Sequence, residues 1–131
     1  MSLFKSILNN CDPKTFNNIL SDCQNINEQN NEGKTLLHCA VSIKSMEKRN
    51  CCVAILLLRN ANPDTQDNLG KSPVHQACHD NSNVVLHALI SAKADIHSTN
   101  NVGLSPIECA QSRGNIDCIM YLLEAKANPL T

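Results

Sequence analysis

The 131-residue chain has no tryptophan, one tyrosine (Tyr121) and two phenylalanines (Phe4, Phe16), so aromatics make up only 2% of it. An interior without large rings is built from Leu, Ile, Val, Ala and Cys, which suits thin stacked layers better than one bulky core. No charge of one sign dominates. A net charge of −1 excludes the broad basic field of a nucleic-acid binder. No apolar run reaches the roughly 18 to 20 residues that span a bilayer. The opening MSLFKSILNN has one lysine and too short an apolar centre for a secretory signal. Glycine-rich phosphate cradles of either common spacing are missing as well. These absences predict no membrane partner, no direct nucleic-acid binding, no cofactor, and an intracellular location, cytoplasmic or nuclear.

What the chain does have is eight cysteines. An even number in a short chain can form a disulfide framework. However, no CxxC pair occurs, and the settings LHCAV, RNCCVAIL, QACHD, IECAQ and IDCIMYLL are helical and apolar. Reduced thiols packing as small apolar residues are the expectation.

One stretch looks like a site. In GKSPVHQACHD, residues His75, Cys78 and His79 sit at helical spacings i, i+3 and i+4, on one face. A zinc site needs such residue types, but with convergent side chains and a further ligand or water. His38 beside Cys39, and Cys109 beside Glu108, offer a nucleophile with a base only in name. Adjacent helical residues point about 100° apart, and a reactive thiol needs an exposed, electropositive setting. The expectation is therefore no metal, no catalytic residues and no enzyme.

Aligning the chain on itself supplies the organising feature. NNEGKTLLHCAV, QDNLGKSPVHQAC and TNNVGLSPIECAQ carry glycines at 33, 70 and 103, spaced by 37 and 33 residues. A hydroxyl residue follows each glycine (Thr35, Ser72, Ser105), and an alanine follows that (Ala40, Ala77, Ala110). The apolar stretches CVAILLLRNAN, VVLHALISAKAD and CIMYLLEAKAN come next. Glycine permits the positive φ of a tight finger turn. Ser72 and Ser105 are placed as N-caps, with Pro73 and Pro106 at the first helical position, where a missing N–H costs nothing. Tight turns are expected at Asn81–Ser82 and Gly114–Asn115. Neither helix of a unit can bury its apolar side alone, so neighbouring units must stack.

A period near 33 with a T-P-L-H-x-A signature resembles the ankyrin repeat. The resemblance implies an all-α solenoid of stacked helix-turn-helix units with hairpin-like finger loops, forming one domain over 1–131. Its parts are N-terminal capping helices over 1–29, then repeats over 30–65, 66–98 and 99–131. Four extra residues in the first repeat are expected as an enlarged inter-helix loop in SIKSMEKR. That loop would be solvated or, with Lys48 and Arg49, a second contact point. The chain stops at NPLT, where another finger would begin, which predicts a fragment of a longer protein.

The family pattern also assigns roles. His38 and His75 would tie each finger to its own helix, and Cys78 would fall at a helix-packing alanine position. Glu108 departs from the pattern, losing that tie or gaining a carboxylate acceptor. Asn60, Lys93 and Lys126 stand where glycine usually ends the second helix. Fingers and first helices would form a concave binding surface for a protein partner, carried by Glu32, Lys34, Leu69, Lys71, His79, Val102, Leu104 and Arg113. Leu69, Val102 and Leu104 are expected as one apolar patch on the finger tips, with the first-helix ends, Ile43 among them, exposed. The implied function is non-catalytic protein binding by a monomer, with a weak homodimer through the uncapped C-terminal face. The alternative is the N-terminal regulatory or targeting arm of a larger enzyme, such as a LEM-domain, GIY-YIG-type nuclease, whose start an enlarged first repeat resembles.

Overall fold

A computed structural model describes Lys14, Asn18 and residues 25–127. Over residues 25–127 its regular elements are six helices: α1 Leu36–Val41, α2 Met46–Leu58, α3 Pro73–His79, α4 Asn83–Ser91, α5 Pro106–Arg113 and α6 Ile116–Ala127. Lys14 and Asn18 are helical; the rest of the expected N-terminal helices, and the NPLT end, lie outside the described residues.

The helices form two layers. First helices α1, α3 and α5 stack side by side, second helices α2, α4 and α6 do the same, and each unit closes on its own hairpin. The core repeats with the sequence period. Ala40, Ala77 and Ala110 let the first helices approach, while Leu56, Leu89 and Leu122 fill the space between layers, all nearly inaccessible. Cys52, Val85 and Cys118 occupy a third equivalent row, also buried. Thiols thus stand in for valine, and Cys39, Cys51, Cys78, Cys109 and Cys118 are in no disulfide.

Local chemistry explains the boundaries. Ser72 and Ser105 are the N-caps of α3 and α5, with proline inside the first turn. The turns between helices use left-handed residues, Asn81 at φ 54° and Gly114 at φ 68°. Asn60 and Lys93 end the first two second helices at φ 65° and 67°, so that the amides of Ala61 and Ala94 bond back to Leu56 and Leu89. Lys126 does not follow them: α6 continues through that position. Lysine is a good helix former and meets a penalty only in the left-handed region.

The four extra residues of the first repeat also differ from expectation. They go mainly into a helix, although the connection over 42–45 is still longer than those over 80–82 and 114–115. Helix α2 has 13 residues against 9 in α4, and only residues 42–45 connect α1 to α2. Met, Glu, Lys and Arg at 46–49 are strong helix formers, with Glu47 favourably in the first turn. Arg49 then donates from Nη1 to the Ile43 carbonyl at 3.2 Å, closing the connection. Ile43 is itself buried in the core rather than exposed.

Candidate partner-binding surface

Three finger loops project from the first-helix layer, each built by the same local bonds. Asn30, Asp67 and Asn100 open them, and each side-chain oxygen accepts two backbone N–H groups, at residues 32 and 34, 69 and 71, or 102 and 104. Neighbouring fingers are then joined laterally. The Asn68 amide N–H donates to Glu32 O, and its side chain to Asn31 O, both at 2.9 Å; Asn101 repeats this on Leu69 O and Asn68 O. The fit is close. A Cβ on Gly33 would meet Asn68 N at 2.7 Å, and one on Gly70 would meet Asn101 N at 2.7 Å, whereas one on Gly103 meets nothing within 4 Å.

The histidines do more than tie a finger to its own helix. His75 Nδ1 accepts from the Ser72 amide (3.2 Å), within its own repeat, while Nε2 reaches the Leu104 carbonyl (3.0 Å) of the next finger. His38 does the same with Thr35 (3.1 Å) and Lys71 O (2.9 Å). An amide can only donate, so Nδ1 is the acceptor and Nε2 carries the proton: both rings are neutral links between repeats. Burial holds both below the usual imidazole range, opposed by the bond to the carbonyl and by Asp67. In the third repeat Glu108 Oε1 accepts from Ser105 N (3.1 Å) and Oγ (3.0 Å). These bonds hold its carboxyl below the usual carboxylate range. The cap is kept; the donor toward a following finger is lost.

The expected contact residues fall into rows. Glu32, Leu69 and Val102 occupy equivalent finger tips, and Leu69 and Val102 are 60% and 82% exposed. Lys34, Lys71 and Leu104 form the row below, half-buried. Leu104 is therefore not a tip residue: it follows its finger glycine and is half-buried, whereas Leu69 and Val102 precede theirs. Glu32, Lys34, Leu69 and Lys71 line one cavity of about 340 Å³ between the first two fingers, together with Asn31, Asp67, Asn68 and Gln76. Lys34 pairs with Glu32 at 3.5 Å; Lys71 has no ion-pair partner among the described residues. His79 and Arg113 are exposed on the ends of α3 and α5, outside that cavity, and His79 Nδ1 lies 3.1 Å from Asp80 Oδ1. Asp67 and Gln76 were missed as lining residues. Aligning the fingers finds Asp67, because it repeats Asn30 and Asn100.

The site-like cysteines and histidines are accounted for by packing. His75 and Cys78 are buried, each in its own contacts, while His79 faces solvent. The hydrogen bond with Cys118, together with burial, holds the Cys78 thiol well above the usual range. Burial pushes the Cys39 and Cys109 thiols up too, opposite to what a nucleophile requires.

Stacked helical hairpins with a row of fingers over the first-helix layer define a repeat solenoid with one ridged, grooved flank. The chain belongs to the ankyrin-repeat family: the model for Ankyrin repeats (3 copies) matches residues 3–85 and 43–131. Among curated relatives, it is 34% identical over 122 residues to Tyrosine-protein kinase HTK16 of Hydra vulgaris, covering 88% of this chain and 16% of that protein. It is 32% identical over 96 residues to Putative ankyrin repeat protein FPV031 of Fowlpox virus (70% and 27%). Neurogenic locus notch homolog protein 1 of Mus musculus is 30% identical over 112 residues (84% and 4%). The chain thus spans only a minor part of the length of these relatives. No helix among the described residues is long and apolar enough to cross a membrane.

Proposed function

We propose that this chain is a non-catalytic docking module that holds a segment of another protein across its fingers and first helices. The groove carries the reading: Glu32, Lys34, Leu69 and Lys71 converge on one 340 Å³ cavity, next to the exposed tips of Leu69 and Val102. Exposed apolar side chains beside an unpaired cation combine anchoring contact with a polar specificity element. The lateral bonds that lock the fingers make the surface stiff, so little ordering entropy opposes binding. Lys71, His79 and Arg113 supply the polar rim.

The test is affinity capture from source-cell extract with wild type and a Leu69→Ser/Val102→Ser variant. Loss of the captured partner with an unchanged melting temperature is expected. Undiminished capture would remove these tips from the site, and loss of folding would show that they pack finger against finger.

A second reading, that the module is the regulatory arm of a larger enzyme, is favoured by the kinase relative, of which this chain covers 16%. The narrower nuclease resemblance rests on the enlarged first repeat alone, whose extra residues go mainly into α2.

A further inference from the structure

The groove along the fingers changes character from one repeat to the next. Its tip row runs Glu32, Leu69, Val102 and the row below runs Lys34, Lys71, Leu104. Both rows are charged at the first finger and apolar at the third, and Lys71 stands where the change occurs. Of the two lysines in the cavity between the first fingers, Lys34 pairs with Glu32 at 3.5 Å, while Lys71 has no ion pair among the described residues. The positive charge of Lys71 is felt by the His75 ring of its own repeat and by the Cys109 thiol of the next. It therefore reaches toward the third repeat, beside the apolar end of the groove.

The carboxylates of the fingers and first helices, by contrast, are engaged. Glu32 has Lys34. Asp67 is buried, its Oδ1 accepts from the Leu69 and Lys71 amides at 2.9 Å, and its charge acts on the rings of His38 and His75. Asp80 meets Gln76 Nε2 at 2.9 Å and His79 Nδ1 at 3.1 Å. Glu108 caps α5 through Ser105. The cavity is left with one unanswered positive charge. Lys71 is half-buried, and an ion pair formed there gains more than one in open water, because the effective dielectric is lower.

We propose that the groove takes a segment of a partner protein carrying an aspartate or glutamate next to an apolar side chain. The carboxylate pairs with Lys71, and the apolar group packs on Leu69 and Val102. This names the partner chemistry of the docking site argued above, and it rests on that reading. A carboxylate matches the single open charge, whereas a phosphoryl group, with nearly two charges, would face Glu32 uncompensated. Charge toward one end of the groove and apolar surface toward the other fix the register of the bound segment.

The test is selection by the 131-residue chain from a displayed library of random peptides. A length of about 12 residues spans at most about 40 Å when extended, enough to cross three fingers set about 8 to 10 Å apart. Retained peptides are expected to share an Asp or Glu beside an apolar position. A synthetic peptide of the selected sequence should bind roughly 5- to 10-fold more weakly when that acid is replaced by its amide. Lys71→Gln should cause the same loss, and the two changes together should cost no more than either alone. The fold uses the N–H and carbonyl of Lys71 rather than its ammonium, so Lys71→Gln should melt with the wild type. Peptides that need Leu69 and Val102 but share no acid would overturn the carboxylate assignment and leave the docking site standing. An acid whose effect persists on the Lys71→Gln chain would do the same. Retention of no peptide, or only of peptides indifferent to Leu69→Ser/Val102→Ser, would overturn both.

Discussion

Replacing His75 with alanine isolates the link that joins one repeat to the next. The ring is 1% exposed and makes three contacts, to Ser72 N, to Ser72 Oγ and to Leu104 O. Leu104 O keeps a bond from Asn100 N at 2.9 Å, so that carbonyl is not orphaned. The Ser72 amide is, in a buried position. Nδ1 has one lone pair, so its two Ser72 contacts count as one bond; the two lost bonds are worth about 1 kcal/mol each and an unsatisfied buried amide costs a further 1 to 3, giving about 3 to 5 kcal/mol in all. That is a large share of the stability of a domain this size, about 5 to 15 kcal/mol. Urea unfolding followed by far-ultraviolet circular dichroism measures it. Glu108→Ala is the control: Glu108 caps its helix in the same way but is exposed and links to no later finger. A His75→Ala chain no less stable than Glu108→Ala would refute the claim that the second ring nitrogen couples the repeats.

The same rings set a pH dependence. The unfolded chain takes up protons on its histidines below about pH 6.5, whereas burial keeps His38 and His75 neutral to lower pH. Stability should be full above that pH and fall as pH drops, by at most about 1.4 kcal/mol per pH unit for each ring; His75→Ala should show a shallower slope. At the fingers, Gly70→Ala should destabilise more than Gly103→Ala. Both take φ positive, at 77° and 93°, but only at Gly70 does the next finger close the space, and paired thermal melts read the difference. Lys93→Gly should raise the melting temperature by a few degrees, since a left-handed lysine costs of order 1 kcal/mol; an unchanged or lowered value would refute that strain.

Much of this was legible from the period alone. Glycine two residues before a hydroxyl, then proline and alanine, dictates a turn, a cap and a thin helix whatever surrounds it, so the finger glycines, α3 and α5 could be read directly. The left-handed Lys93 was legible for the same reason. Contacts that cross between repeats were not. Helix propensity at 46–49 competes with loop length, and only the stack decides which prevails. Leu104 follows its finger glycine where Leu69 and Val102 precede theirs, and the stacked fingers leave it half-buried.

The order of residues by itself determined the repeat, its helices and its shared core rows, because these follow from short-range backbone preferences and a periodic apolar pattern. Tertiary structure alone decided that His38 and His75 reach forward to the next finger and that Ile43 turns inward. Each depends on where a neighbouring layer stands, and no local preference encodes that.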